Sequence, residues 1–454
     1  MPRFLVNRDF SRLWYGQAIS TVGDFVFDTT ITIWVATQLL AGTDWAPAAV
    51  SGLMLCALVA IMVVGPAAGV FVDRWNRRRT MLGSEVIRGV LVGVLTLVML
   101  LPTSALPVGV WLALLYVTII VVNAAGQFFN PARFATIGEI VPDEADRTRA
   151  FGLGQAATAT AAIIGPPLAA PLLFTFGIQW ALLLNALSYA VSFLAVRSVN
   201  FPASDPAPCG PVAKPAWRTE FVAGLKMFAH NRFLVALLCV AVISSLGTGA
   251  LNALDIFFLT DNLHIAPRLL GVMTMAYGLG SVVGALLAGR IAKLLSARSL
   301  TWLGLLAGGG VFSLYARQTS FVPALVLIFV VGVPIAALNA GLSPQLLAAT
   351  PKAFMGRTVA VLNPVNMAAS MVSVVVAGWL ASTVLRDFHA NAAGLHIGRI
   401  DTIFTASAIL IVCAGIYAFF ALPQAEASRA EAATAPPTSR HPADADAPQP
   451  IPPI

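Results

Sequence analysis

Hydrophobic positions in this chain come in long unbroken runs separated by short polar stretches, and the runs recur from Leu13 to about Ala421. Each is close to the roughly 20 apolar residues that an α-helix needs to cross a ~30 Å hydrocarbon layer. They lack the alternating polar and apolar positions of the roughly ten-residue strands of a membrane barrel. Cutting at charged or Pro-rich breaks predicts twelve helical spans, near 13–40, 48–72, 80–101, 107–130, 150–174, 178–197, 233–260, 268–292, 299–316, 321–348, 356–385 and 400–421. Trp14, Trp45, Trp75, Trp111, Trp180 and Trp302 fall close to span ends, where an amphipathic indole favours the membrane interface. The first span is too long for a signal-peptide core and no small-residue cleavage site follows it, so it is expected to be retained.

The longest internal break carries FPASDPAPCGPVAKPAWRTEF and divides the spans six and six. Its Pro density predicts a linker over 200–232. Residues 1–199 and 233–422 are then expected to form two six-helix bundles, an all-α membrane fold. The tail, 423–454, is Ala/Pro-rich and too poor in large apolar residues to pack, which predicts disorder. A faint repeat follows the same division: FNPARFATIGEIVPDEADRTRAFGL (Phe129 to Leu153) has a partner in LSPQLLAATPKAFMGRTVAVL (Leu342 to Leu362). Internal repeats are common in transporters, whose site lies between the halves near the bilayer midplane.

Most of the 27 Lys and Arg residues fall in alternate breaks, with Arg74, Arg77, Arg78 and Arg79 as the densest group. The other set of breaks holds Arg268, Arg317, Arg386 and Arg399. Cytoplasmic loops carry the excess of Lys and Arg, so both termini are expected in the cytoplasm and the chain in the cell (inner) membrane.

Composition narrows the class further. The 454 residues are 58% hydrophobic and 10% charged, against about 25% charged in a soluble domain. The net charge of +7 sits between spans and is not interleaved with aromatics, so it does not form a nucleic-acid platform. The 4 cysteines are scattered without metal or redox spacing. The 5 histidines are loop or tail residues, and His389 and His396 are read as plain loop residues rather than metal ligands. There is no Gly-x4-Gly-Lys-Ser/Thr loop to bind ATP. No enzyme activity, metal or cofactor is expected. The expected partners are the bilayer, a small-molecule substrate and protons, with the chain acting as a monomer.

One cluster is specific. GVFVDRWNRRR places Gly69, Asp73, Arg74, Arg77, Arg78 and Arg79 after the second span. It resembles the loop between the second and third helices of the major facilitator superfamily: Gly, three residues, Asp-Arg, any residue, Gly, any residue, two basics. Asn76 stands at the second Gly, and Asn tolerates the left-handed conformation that such a turn can need. The stretches SGLMLCALVAIMVVGPAAGVFVDRWNRRR, FFNPARFATIGEIVP and STVGDFVFD resemble the drug:proton antiporter branch that includes macrolide-efflux and enterobactin-exporter proteins. In the fifth span, AAIIGPPLAA is similar to the antiporter motif Gly, three residues, Gly-Pro, two residues, Gly-Gly. Gly165 and Pro166 match it, with alanines at the other glycines. The fourth span offers Asn123, Gly126 and Gln127 where many drug/proton antiporters carry Arg, two residues, Gln-Gly, so the arginine route to proton coupling is not carried over. The second-half counterpart of the charged loop, GALLAGRIAK, has no acid where Asp73 stands.

A positive-inside loop needs arginines but neither Gly69 nor Asp73, so their spacing favours a role beyond orientation. The resemblance implies a gating charge network that stabilises one access state. Asp24 and Asp28 lie one helical turn apart on the first span. Asp24 is about eleven residues in, ~16 Å along the helix axis. An intramembrane carboxylate is costly unless paired, protonated or facing water. Proton coupling or substrate contact is favoured over a structural pair for Asp24, and the two readings stand level for Asp28. Glu85 and Arg88 are spaced to meet as a local ion pair near the cytoplasmic end of the third span, serving structure or the charged loop. Asp255 is either a water-exposed acid near the outer surface or a cavity group. Asn123 and Gln127 serve interhelical hydrogen bonds or substrate equally well. Gly280-x-x-x-Gly284 signals close helix packing.

The expected function is secondary active transport: proton-coupled export of an amphipathic small molecule, drug-like or macrolide, by alternating access. A siderophore or metabolite exporter and an uncoupled facilitator are alternatives within transport. A non-transporting membrane scaffold or sensor is the alternative of another class.

Overall fold

The computed structural model describes residues 6–72, 74–201, 231–292, 294–350, 355–388, 390–392 and 395–422. Among the described residues twelve α-helices carry the fold. The first six are α1 (Arg8–Trp34), α2 (Ala46–Val72), α3 (Arg77–Val98), α4 (Val108–Ile140), α5 (Glu144–Pro171) and α6 (Ile178–Ser198). The second six are α7 (Arg232–Phe257), α8 (Leu270–Ile291), α9 (Ala297–Tyr315), α10 (Phe321–Ala349), α11 (Met355–Trp379) and α12 (Arg399–Ala421). A two-stranded antiparallel hairpin, β1 (Ala390–Ala392) and β2 (Leu395–Ile397), joins α11 to α12. Of the expected linker, 200–232, residues 202–230 lie outside the described residues, as do the expected tail, 423–454, and Asp73 and His389, while Arg232 already opens α7.

Polar residues at the breaks start the helices. The side chains of Asn7, Asn76, Asp143, Asn231 and Ser296 each accept a backbone N–H from the first turn of the helix that follows. Asn76 therefore does not take the left-handed conformation expected of a Gly replacement. It has φ −66° and ψ 111°, and its Oδ1 accepts the Arg79 N–H at 3.0 Å as the N-cap of α3.

Eleven helices among the described residues are long and apolar enough to cross a membrane. The expected twelfth, α9, falls short because Arg298, Ser299, Thr301 and four glycines dilute its 19 residues. It is held as a helix by packing between α10 and α12. The fourth span is the largest boundary difference, since α4 continues through Pro131 to Ile140. Its Phe129, Ala132 and Ile137 pack with Phe10 and Leu13 of α1, which extends the helix beyond its apolar run.

The repeat is visible in the packing. In the first half α1 packs on α5 and α6, α2 on α4, and α3 on α4 and α6; α7 to α12 repeat the same pairings in the same order. The first and fifth helices of each half end alike, in single π-helical turns at Val35–Leu39, Leu172–Phe176, Phe258–Asn262 and Leu380–Val384. Gly280 and Gly284 lie against the Phe329 and Val333 carbonyls of α10, as the small-residue spacing predicted.

The two bundles meet through α2 on α11 and α5 on α8. The face holding the first residues of α1 and the last of α12 carries the α2–α3 arginines and is called the basic face below. At the far face Asp44, just before α2, pairs with Arg386 at 2.5 Å, and the Ala48 N–H donates to Ser382 Oγ at 3.0 Å. Gly378 of α11 sits on Ser51 and Pro47 of α2. These contacts join the bundles at the far face, beside a cleft of about 360 Å³ between Thr37 and Asp44 of the first half and Thr260, Asp261 and Arg399 of the second.

Candidate functional site

A cavity of about 310 Å³ lies between the bundles, walled by α1, α2 and α5 on one side and α7 to α10 and α12 on the other. Its wall is mostly aliphatic and aromatic, including Phe25, Met54, Met273, Tyr277 and Phe312. Two carboxyls enter it from opposite halves, Asp28 from α1 and Asp255 from α7, and no Lys, Arg or His lines it among the described residues. Thr29, Thr248 and Asn252 add neutral polar groups. Pockets of this kind, apolar with a few placed polar groups, take small molecules.

The two acids are held differently. Asp255 is half-buried, and the Tyr315 hydroxyl of α9 donates to its Oδ1 at 3.0 Å. No cation pairs with it among the described residues. Asp28 is exposed to the cavity, and no hydrogen bond among the described residues holds its carboxylate. A carboxylate withdrawn from bulk water and left without a cation favours binding either a proton or a cationic group.

Asp24, one turn from Asp28, points away from the cavity into the first bundle. Its Oδ2 takes a 2.8 Å salt bridge from Arg88 of α3, and its Oδ1 accepts the Tyr189 hydroxyl of α6 at 2.5 Å. The Arg88 guanidinium also lies over the Tyr189 ring, 4.2 Å from its centroid. The expected local pair of Glu85 and Arg88 is therefore secondary, with Arg88 3.8 Å from Glu85 and directed at Asp24. Glu85 Oε1 instead accepts the Ser192 hydroxyl at 2.6 Å and Gln17 Nε2 at 3.4 Å.

The remaining candidates fall elsewhere. Asn123 bonds its own helix through the Ile119 carbonyl at 2.9 Å, and Gln127 lies beside Gly65 of α2; neither lines the cavity. Gly165 and Pro166 sit where three helices converge. A Cβ on Gly165 would meet Phe25 Cβ of α1 at 2.5 Å, and Pro166 lines the cavity and abuts Gly271 of α8. In the charged stretch, Gly69 lies in the last turn of α2 with open space around it, and Arg74 and Arg79 are exposed. Arg77 pairs with Glu139 of α4, and Arg78 donates to the Arg197 carbonyl at the end of α6 at 2.8 Å. Asp73 is outside the described residues, so the arginines alone show how this stretch ties α3 to its neighbours.

Sequence reasoning missed Tyr189, Tyr315, Gln17, Ser192 and Glu139. A readable signal existed for the tyrosines. Aromatic belts sit at span ends, whereas Tyr189 lies mid-span and both tyrosines are fully buried.

Comparison with known proteins places this architecture. The family model of the Major Facilitator Superfamily matches residues 13–254 and 237–451. Macrolide efflux protein A of Streptococcus pyogenes is 25% identical over 280 residues, covering 62% of this chain and 66% of that one, so the alignment spans just under two thirds of that relative. The MFS-type transporter YkuC of Bacillus subtilis is 22% identical over 437 residues, 94% of this chain and 95% of that one. The crystal structure of the nucleoside transporter NupG superposes with a TM-score of 0.67 at 12% identity, over 92% of this chain and all of NupG, a likeness of fold alone.

Proposed function

Because the chain belongs to the major facilitator superfamily, we propose that it exports an amphipathic small molecule carrying a protonated amine, in exchange for protons, by alternating access between its two bundles. The observation that carries this reading is the cavity itself: apolar walls, a carboxyl from each half, and no basic lining residue among those described. An ammonium group would neutralise Asp28 or Asp255, while the apolar remainder of the cargo would lie against Met273, Phe312 and their neighbours. Protons compete for the same oxygens, so arrival of a proton from one side displaces cargo to that side. Shared occupancy of this sort couples the two fluxes.

Direction follows from two supports. The arginine distribution favours a cytoplasmic basic face, and the Asp44–Arg386 and Ala48–Ser382 contacts hold the halves together on the opposite side, which supports loading of cargo from the cytoplasm. A similarity to a protein named for macrolide efflux agrees with export. An anionic siderophore fits less well, since the described wall offers its charge no guanidinium or ammonium partner.

The test is accumulation of ethidium and erythromycin, both cationic, in cells expressing the chain, with and without a protonophore. Expression is expected to lower accumulation, and the protonophore to restore it. Asp255→Asn is expected to abolish efflux at normal membrane levels, and Asp28→Asn to impair it. Efflux that survives the protonophore would remove proton exchange from the reading. Unchanged efflux in both variants would remove the cavity acids.

A further inference from the structure

Inside the first bundle, apart from the cargo cavity, lies a second cluster of ionisable groups. Glu85 is 1% exposed. From its own helix it faces Arg88, from α1 Asp24 and the Gln17 amide, and from α6 the Ser192 hydroxyl, while Tyr189 of α6 bonds Asp24. No charged side chain of α4 reaches it among the described residues. The cluster thus holds two carboxyls, Asp24 and Glu85, and one guanidinium. Asp28, one turn further along α1, adds a third acid and no further cation.

The guanidinium is shared unequally, and its Nε is left without a hydrogen-bond partner. Arg88 gives its short contact to Asp24 and stays 3.8 Å from Glu85 Oε2. That oxygen is buried with no hydrogen-bond partner. A buried anionic oxygen without a donor is among the costliest arrangements a protein can hold. A proton on Oε2 removes the charge and disturbs neither bond to Oε1. It also leaves Asp24 and Arg88 as a balanced pair.

There is a route by which that proton can exchange. Gln17 bonds Glu85 and Ser192 on one side, the latter at 2.7 Å, and on the other it lines a separate cavity of about 70 Å³. This cavity lies toward the basic face between the start of α1, the end of α4 and the start of α5, with Thr21 and Thr158 in its walls and Arg133 opposite. It has room for a few waters and the polar partners to hold them.

We propose that Glu85 is a proton-carrying site of the first bundle, neutral in this state of the molecule and loaded from the basic face through the Gln17 cavity, off the path of the cargo. Charge balance gives the site its function. When a shift of α3 against α1 within the first bundle separates Arg88 from Asp24, the guanidinium becomes free for Glu85, which then releases its proton to water in the Gln17 cavity as Asp24 takes one up from water that reaches its vacated carboxylate. The step conserves protons and charge. The proposal rests on the proton-exchange reading above, but its test does not depend on any cargo.

Infrared spectroscopy of the purified full-length protein in lipid, near neutral pH, reads the site directly. The carbonyl stretch of a protonated carboxyl is expected, and to shift when glutamate carrying a 13C side-chain carboxyl is incorporated into the wild type, because Glu85 is the buried glutamate among the described residues. Glu85→Gln is expected to lose that band, Asp24→Asn to lose it because Arg88 then balances Glu85, and Asp28→Asn and Asp255→Asn to keep it. Gln17→Leu is expected to slow its exchange in deuterated water. If the wild type has no protonated-carboxyl band that responds to labelled glutamate, the proposal is overturned, whether or not Glu85→Gln folds. Efflux lost in Asp255→Asn with the band intact leaves Glu85 standing, and efflux intact with no band leaves the cargo site standing.

Discussion

The third helix of each half begins alike and then diverges. With the N-caps Asn76 and Ser296 aligned, Arg78 of α3 falls on Arg298 of α9, and both reach the last carbonyls of the sixth helix of their half, Arg197 and Phe419. Two turns on, Glu85 and Arg88 fall on Leu305 and Gly308. Leu305 is fully buried and Gly308 forms part of the cavity wall. The first half therefore keeps an acid, a guanidinium and a second acid inside itself, while the second fills the same space with a leucine and a glycine. Each half still carries an acid on its first helix held by a tyrosine hydroxyl, Asp24 by Tyr189 and Asp255 by Tyr315. What differs is the counter-charge: Asp24 has one and Asp255 does not. A repeat that preserves packing has thus given both bundles an open acid at the cavity, Asp28 and Asp255, and only the first a neutralised acid behind it.

The most damaging way to break this contrast is to remove the counter-charge. Arg88→Met leaves Asp24 and Glu85 facing each other in a low-dielectric interior, and stripping one partner from a buried pair costs about 3–5 kcal/mol. Asp24 keeps 32% of its side-chain surface open, so the low end, about 3 kcal/mol, is expected. Thermal unfolding of the purified protein measures it. Asp24→Asn added to Arg88→Met is expected to recover part of the loss, which a purely steric role for the arginine would not allow.

A smaller effect separates the two tyrosines. Tyr189→Phe removes a hydrogen bond to an ion-paired acid but keeps the ring under Arg88, for an expected loss of about 1.5–3 kcal/mol. Tyr315→Phe frees an acid that already borders the cavity, where water can replace the hydroxyl, and about 1 kcal/mol is expected. Equal losses would mean that Asp24 and Asp255 are held in equivalent surroundings, against the comparison.

Much of this was legible in the sequence. The spans, the six-and-six division and the Gly280/Gly284 packing follow from periodicity and spacing, because a membrane forces apolar length and helices report small residues at fixed intervals. Asp28, with Asp24 a turn before it, and Asp255 stand out as acids in apolar runs. The meeting of Asp28 and Asp255 in one cavity does not, because it depends on how α1 and α7 face each other across two bundles. The partner of Arg88 was misjudged for the same reason. Sequence offers Glu85 three residues away, whereas the fold brings Asp24 from 64 positions away to 2.8 Å. Asn76 was read against a family glycine when its simpler meaning, an N-cap ahead of a helix, was already in the string. The span 299–316 follows from the charged breaks that flank it, although the glycines of α9 blunt its apolar signal.

The smallest expected effect tests the part of the comparison that is the same in both halves. Arg78 and Arg298 each place a positive charge at the C-terminal end of a sixth helix, where unpaired carbonyls and the helix dipole favour a cation by about 0.3–1 kcal/mol. Arg78 is exposed and also lies 5.5 Å from the Phe201 ring centroid. Arg298 is half-buried, with its Nε enclosed and its guanidinium 5.6 Å from the Phe419 ring centroid. Arg78→Ala is expected at the low end of that range and Arg298→Ala at the high end, with the first difference shrinking in high salt because exposed charges are screened. If the two substitutions instead shift thermal unfolding oppositely, the caps are not equivalent. The packing that α3 and α9 share would then not extend to their first turns.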